Sequence, residues 1–594
     1  MPGPWRFRVR PPQPGLSRLA RLFGTLDTMS PLHPSRARCA PTVAAVACLG
    51  AFSGACTGEV DAPRLGRVDR VDEPGPVVLP RLTESQYRET VEQALGGRDV
   101  DPSLGPLPRP PLEPDTNPYL FYNVGAASTT LSEVGTERYA EAAHEIANAV
   151  VREPTRRAAV IRCEPASAGD ACVGDAIARL GRRLYRRPLT ADESARWLRV
   201  ATELSEGDPL RGLSFALAGM LQSASFLYRV ELGAPDPARD GWLRYSDLEL
   251  ASRLSFLLWN AAPDDELLEA ALAGDLADAD GVHGQALRLL EDPRARRAVR
   301  AFFAQYFDLA RLEDVRERDP ELHPGFTPTL TVAMRTEIEL LVDDVVFGRD
   351  ADVRELLRTR RTFVNAELAD LYGLEVEGVS PITFVPVELP EDGPRAGLLT
   401  LGAFLTANAH PTETSPTLRG KYIRERLLCD LVPPPPPGVS TDIPPPTGMP
   451  RTLRERLEAH RVRPDCAACH AIIDPPGYLF EGFDSIGRVR ATDHGFPVDT
   501  SGGLDGVSLV NGRELGELLA DDPRVSLCIT RQLFRHANGR LERDGEEAAI
   551  RRLSREFLAG GSRFLDLLLA FATSDAFRYA ALADEVPTMD GGEP

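Results

Sequence analysis

Ser246-Asp247-Leu248-Glu249-Leu250-Ala251-Ser252-Arg253-Leu254-Ser255-Phe256-Leu257-Leu258-Trp259 reads as a helix entry followed by its body. Ser246 and Glu249 form a capping box, in which each side chain satisfies a backbone N–H of the other. The apolar run Leu250 to Trp259 then calls for burial. The same grammar recurs on both sides. Thr83 and Gln86 form a capping box with Leu82 and Tyr87 as its hydrophobic staple, and that helix ends near Gly96. A face of Val134, Tyr139, Ala142, Ile146 and Val150 predicts a helix from about 132 to 152. Val173 to Tyr185 is another, closed by Pro188, and Thr190 with Glu193 caps the next. Pro263-Asp264-Asp265-Glu266 has the residues of a helix first turn, and helical patterns continue through Phe302–Phe307 and Thr331–Phe347. Strand signals are few: 382 to 389, 496 to 499 and 507 to 510. Pro433–Pro437 and Pro444–Pro446 read as extended polyproline spacers. The fold class is therefore mainly α, a multi-domain helical protein with minor β.

The whole chain has 594 residues, long enough for about four domains. Its 43% hydrophobic and 26% charged residues exclude wholesale disorder. Among the 68 basic residues only Lys421 is a lysine, which reads first as a coding bias toward arginine. A net charge of −20 argues against a general nucleic-acid binder, since phosphate contacts need a basic surface.

Residues 1–55 read as a targeting segment rather than as fold, with Met29 as the better candidate start. Arg36 and Arg38 supply a basic n-region, and Cys39 to Ala55 an apolar stretch too short for a confident membrane span. The stretch ends in Ser53-Gly54-Ala55-Cys56, which resembles a bacterial lipoprotein signal with Ser53 where leucine is usual. In that reading Cys56 is lipidated, and the chain sits at the cell envelope on the periplasmic or surface side, anchored to the outer membrane. A plain cleaved signal and an uncleaved anchor are the alternatives. Residues 56–80 follow as a tether.

Export also makes sense of the cysteines. Nine are present; beyond Cys56, six remain. Cys163 with Cys172, and Cys429 with Cys528, are the expected disulfide pairs in an oxidising compartment.

The last two form Cys466-Ala467-Ala468-Cys469-His470, the CxxCH spacing of c-type haem attachment. Two thiols three residues apart can add to two vinyl groups of one porphyrin, and the adjacent imidazole can reach the iron. A CxxC disulfide and a partial zinc site compete, although no second Cys/His pair follows at finger spacing. For the sixth iron position Met449 ranks first and His494 second, with His410, His460 and His536 also in the vicinity, and a five-coordinate iron is the remaining option. Arg488 and Arg490 are candidates for haem propionates. Asp474, Glu481 and Asp484 form a carboxylate group near the motif, but Asp474-Pro475 and Asp484 read better as turn and cap residues than as acid–base catalysts. His144, on a helix with apolar neighbours, reads as structural. No phosphate-cradling loop, GxSxG elbow or HExxH is present.

His470-Ala-Ile-Ile473-Asp474-Pro475-Pro476-Gly477-Tyr478-Leu-Phe-Glu481-Gly482-Phe483-Asp484-Ser485-Ile486-Gly487-Arg488-Val489-Arg490 resembles the signature of a bacterial family known from planctomycetes and myxobacteria. That family strings together domains of unknown function and is described as cytochrome c-like. Pro476, Tyr478 and Gly482 depart from its common pattern, and Ile473 stands where many members have methionine. The likeness extends through Leu82–Arg88, Arg186–Thr190 with Phe226–Glu231, Leu254–Asn260 with Pro263–Leu267, Thr414–Gly420, Arg531–Arg540 and Ser574–Arg578. It implies helical modules at 81–155, 156–235 and 236–375, a CxxCH module with its proline-rich linker at 390–495, and a last helical module at 515–583. The family's activity and substrate are not established. The CxxCH spacing, with this likeness, leads to the expectation of haem c at Cys466, Cys469 and His470 and of electron transfer or haem-assisted redox chemistry on an unknown substrate at the envelope, with a redox partner, while the acidic charge argues against nucleic acid. The alternative is a haem-free surface scaffold, associated with cell-surface polysaccharide, whose CxxC is a disulfide. Whether the chain is an enzyme stays open.

Overall fold

Capping chemistry decides where the helices begin. The computed structural model describes residues 73–98, 100–117, 119–315, 318–434, 452–461 and 464–582, without the side chains of 459, 460, 464 and 465. The targeting segment 1–55, Cys56, most of the tether, Met449 and most of the proline run lie outside the described residues. Of the two units into which the chain divides, the described residues belong to Val68–Pro594.

The three capping boxes form as the residues dictate. Thr83 and Gln86 open α1 (Glu84–Leu95), and α2 is Glu133–Arg152 behind the Ser132 cap. Helix α3 (Ala171–Tyr185) stops where Arg186 turns left-handed (φ 59°), and Thr190 with Glu193 opens α4 (Ala191–Glu203). Helix α5 (Pro209–Leu221) packs against both α2 and α4. Ser246 and Glu249 open α6 (Asp247–Trp259), whose last ten residues are all buried, including Arg253. The helix expected to open at Pro263 starts two residues later: Asp264 is the cap and Asp265 the first helical residue. Helix α7 (Pro328–Asp343) runs into a wider turn at Asp344–Gly348.

Strands are short. β1 (Ala234–Pro235) pairs antiparallel with β2 (Trp242–Arg244), and β3 (Arg361–Val364) with β4 (Val385–Glu388). Two small hairpins follow: β5 (Thr492–Asp493) with β6 (Phe496–Pro497), and β7 (Gly502–Leu504) with β8 (Val507–Leu509). The C-terminal β9 (Tyr579–Ala581) returns to β2 with Trp242 opposite Ala581. The chain is mainly helical with minor β, as the patterning requires.

The apolar side chains gather into two large cores rather than one per module. Leu82, Tyr87, Tyr139, Leu180, Leu217 and Phe226 share the first, and Phe256 of α6 joins them. The second runs from Leu120 to Ala580. Buried Glu231 sits where the two meet in sequence, held by Arg229 (2.8 Å) and Arg253 (3.2 Å). Arg253 reaches on to Asn538 (2.9 Å) and the Phe577 carbonyl (3.0 Å), so the middle of the chain is fastened to its C-terminal helices. Both expected disulfides form, Cys163–Cys172 with Cα atoms 5.9 Å apart and Cys429–Cys528 with 5.4 Å. Among the described residues no helix is long and apolar enough to cross a membrane.

Candidate functional site

The CxxCH residues lie on a single helix. Helix α8 (Pro416–Tyr422) and α9 (Leu453–Arg461) flank α10 (Pro464–Tyr478), which carries Cys466, Cys469 and His470 in its first turns. Positions i, i+3 and i+4 share one helix face, so both thiols and the imidazole point the same way. Cys466 is buried, Cys469 and His470 are half-buried, and the next turns bury Ile473, Asp474, Gly477 and Tyr478. Both cysteines are free thiols, so the CxxC disulfide is not formed.

His470 is held from below. Its Nδ1 lies 2.9 Å from Asp474 Oδ2 and 3.1 Å from Oδ1, one helical turn on. Asp474 has no solvent exposure, and Thr417 Oγ1 of α8 donates to its Oδ1 at 2.9 Å. This corrects the reading of Asp474-Pro475 as a turn: Asp474 is inside the helix, and so are Pro475 and Pro476. Proline in a helix leaves the carbonyl four residues earlier without its N–H. For Pro476 that carbonyl is Ile472, and Arg424 Nε donates to it at 3.2 Å. A distant guanidinium thus repairs the helix where its own backbone cannot.

Helices α8 and α10 meet backbone to backbone. A β-carbon on Gly420 would lie 1.6 Å from the Ile473 carbonyl oxygen, and one on Gly477 would lie 1.9 Å from that of Pro416. Beyond α10, fully buried Arg419 donates to the carbonyls of Phe480 (3.0 Å), Asp484 (3.1 Å) and Leu405 (3.2 Å). Burial pulls its guanidinium down to about 10 against the pull of Glu481. Burial likewise pushes the Glu481 carboxyl up, opposed by Arg490 and Arg419. Asp484 does act as a turn residue, accepting from the N–H groups of Ile486 (3.0 Å) and Arg488 (2.8 Å). Ser485 and His323 share a buried hydrogen bond of 2.8 Å, which ties the 318–327 loop to this segment.

The remaining sequence candidates fall elsewhere. His494 is exposed, left-handed (φ 49°) at the β5–β6 turn, and beside Asp493. Arg490 is occupied by Glu481 (2.9 Å) and Asp493 (3.0 Å), and Arg488 reaches Asp370 (3.0 Å). His536 is core: it meets the rings of Phe121 and Phe302 edge-on, and burial pulls it down to about 4. His144 stands edge-on to Phe215, and partial burial lowers its pKa. The His410 N–H donates to the Glu413 carbonyl, and the His460 side chain lies outside the described residues. No group of three or more His, Cys, Asp or Glu able to hold a metal ion occurs among the described residues, so the zinc reading finds no ligand set there. Two cavities of about 480 Å³ lie on other helices, one lined by Thr90, Arg183 and Asp264, the other by His144, Arg152 and Arg211.

Thr417, Gly420 and Arg424 were not legible as site residues, because each acts across about 50 residues of sequence. The His470–Asp474 pair was missed too: four residues apart is contact distance only on a helix, and Asp474-Pro475 reads by local rules as a turn. Five family descriptions match the chain in tandem, each printed as a protein of unknown function: DUF1587 over residues 81–152, DUF1595 over 172–231, DUF1592 over 245–374, DUF1588 over 395–493 and DUF1585 over 505–577. No curated protein and no solved structure matches it.

Proposed function

We propose that this chain, which carries five domains of unknown function in tandem, is an exported, lipid-anchored envelope protein whose DUF1588 domain holds a c-type haem. The observation that carries the reading is one helix bearing two free thiols and an imidazole whose Nδ1 is held by a buried carboxylate. Thiols at i and i+3 with histidine next in line are the donor set for covalent haem, and the residues fit the group. Cys466 and Cys469 would form the thioethers, and His470 would take the iron through Nε2. Met449 remains the first candidate for the opposite face and His494 the second. Bound there, haem supplies a one-electron couple, which suits electron transfer or redox chemistry on a substrate at the envelope.

The chain's own residues set the conditions for that couple. Asp474 and Thr417 orient His470, while the Gly420 and Gly477 contacts fix α10 against α8. Leu453, Leu457 and Tyr478 form a small apolar cluster beside it. The Cys56 lipid anchor rests on the Ser53-Gly54-Ala55-Cys56 sequence.

The test is expression of the full chain in a host that matures cytochromes c, followed by a pyridine haemochrome spectrum and intact mass. Covalent haem that is lost in Cys466→Ala and Cys469→Ala supports the reading. Wild-type protein without an α-band overturns it and leaves the haem-free scaffold. Cys56→Ala should move the protein from the membrane fraction to the soluble one.

A further inference from the structure

We infer that Asp474 is a positioning residue that acts through His470, fixing its tautomer and strengthening it as a ligand so that the site favours oxidised iron; the inference rests on the haem reading above. Asp474 is set apart by its partner. Three other buried carboxylates of this arginine-rich chain are matched to guanidinium groups, Glu231 to Arg229 (2.8 Å), Glu481 to Arg490 (2.9 Å) and Glu546 to Arg540 (2.6 Å), and Glu337 is matched to the hydroxyls of Thr362 and Tyr372. Asp474, with no exposure at all, is matched among the described residues to an imidazole and a hydroxyl instead. A buried carboxylate needs donors. Here the strongest available is the Nδ1–H of His470, at 2.9 Å.

That hydrogen bond has a direction and a consequence. A carboxylate accepting from Nδ1–H leaves the lone pair on Nε2, the nitrogen an axial bond uses, and makes it more basic. A more basic ligand stabilises the higher charge on a metal, and hydrogen bonding behind the ligand is one of the levers that set a haem potential. The geometry is not left to a mobile side chain. Thr417 pins the second carboxylate oxygen, and Thr417 itself is fixed because α8 and α10 touch at Gly420 and Gly477 with no room for a β-carbon. The reduced site would therefore give up its electron readily to a one-electron acceptor.

The experiment compares the full haem-loaded chain with Asp474→Asn, which keeps the shape but not the charge, by spectroscopic redox titration. At a fixed applied potential the ratio of reduced to oxidised iron should rise about tenfold in Asp474→Asn, equivalent to about 59 mV for one electron. Thr417→Val should move it the same way by less, and Asp474→Glu should recover part of the shift. An unchanged ratio in a folded, haem-loaded Asp474→Asn overturns the inference while leaving the proposed function intact. A second arm needs neither haem nor a variant. In the haem-free chain the nitrogen shifts of His470 should report the Nδ1–H tautomer, and a predominant Nε2–H form overturns the inference. Wild type that takes up no haem in the maturing host overturns the proposed function, and with it the ligand role of Asp474, even where the tautomer is as expected.

Discussion

Gly420 and Ile473 meet main chain to main chain: a β-carbon on the glycine would stand 1.6 Å from the Ile473 carbonyl oxygen. The obstacle is backbone in the helix that bears both thiols, so it cannot rotate aside. Gly420→Ala should force α8 and α10 apart at a cost of about 3 kcal/mol, the upper end for overpacking. Denaturant unfolding measures the loss, and covalent haem yield should fall with it. An alanine variant as stable as wild type would show that the two helices are not in this contact.

Arg419 supports the segment after the site in a different way. Its side chain is fully buried and feeds three carbonyls, of Leu405, Phe480 and Asp484, from two nitrogens. Arg419→Met takes one donor from each of those carbonyls and leaves Glu481 with Arg490 as its remaining guanidinium partner, and should cost about 3 kcal/mol. Arg419→Lys should recover little, since an ammonium cannot span the three acceptors as a planar fork does. Thermal melts of the two variants, with limited proteolysis read for cuts after Tyr478, check both statements.

These two residues show what could be read in the sequence and what could not. Capping is local chemistry, so Thr83–Gln86, Thr190–Glu193 and Ser246–Glu249 announced three helices correctly. The two expected disulfide pairs form, although an even cysteine count does not by itself fix connectivity. Asp474 was misplaced because two prolines follow it, and local rules end a helix there. What keeps α10 intact is Arg424, 48 residues from the carbonyl it satisfies, and no window of sequence contains both. Strand β3 was missed for the same reason: its partner β4 lies beyond a 20-residue excursion. Long-range compensation, not weak propensity, is what the pattern cannot display.

The two disulfides should differ in weight. Cys429–Cys528 closes a loop with a separation of 99 residues, and Cys163–Cys172 one of 9. Chain-entropy arguments assign about 4.7 kcal/mol to the long loop and roughly 3 kcal/mol or less to the short one. Cys528→Ser should therefore lower the denaturation midpoint more than Cys172→Ser does. The long bridge also links the DUF1588 and DUF1585 regions, so its loss should reach the region of the CxxCH helix as well. Equal midpoints in the two variants would contradict this ordering.

The last expectation concerns Glu337, buried on α7 with no arginine bonded to it among the described residues. Thr362 Oγ1 and the Tyr372 hydroxyl each donate to its carboxyl at 2.6 Å, and the Gly402 N–H donates to the Tyr372 oxygen. Burial outweighs those bonds and pushes the carboxyl up to about 7. An unfolded glutamate titrates near 4.3. Between those values the folded chain holds a proton that the unfolded chain has released, so stability falls as pH rises from about 4.3 to about 7, and levels off above. The loss amounts to about 4 kcal/mol by linkage. His536 works in the opposite sense, because burial lowers it to about 4 and its contribution is lost as pH falls below about 6.5. Glu337→Gln should remove the decline toward neutral pH and leave the acid-side loss from His536 in place. Melting temperatures of wild type and Glu337→Gln across that pH range separate the two groups. Parallel curves for the two proteins would mean that Glu337 is ionised in the fold throughout.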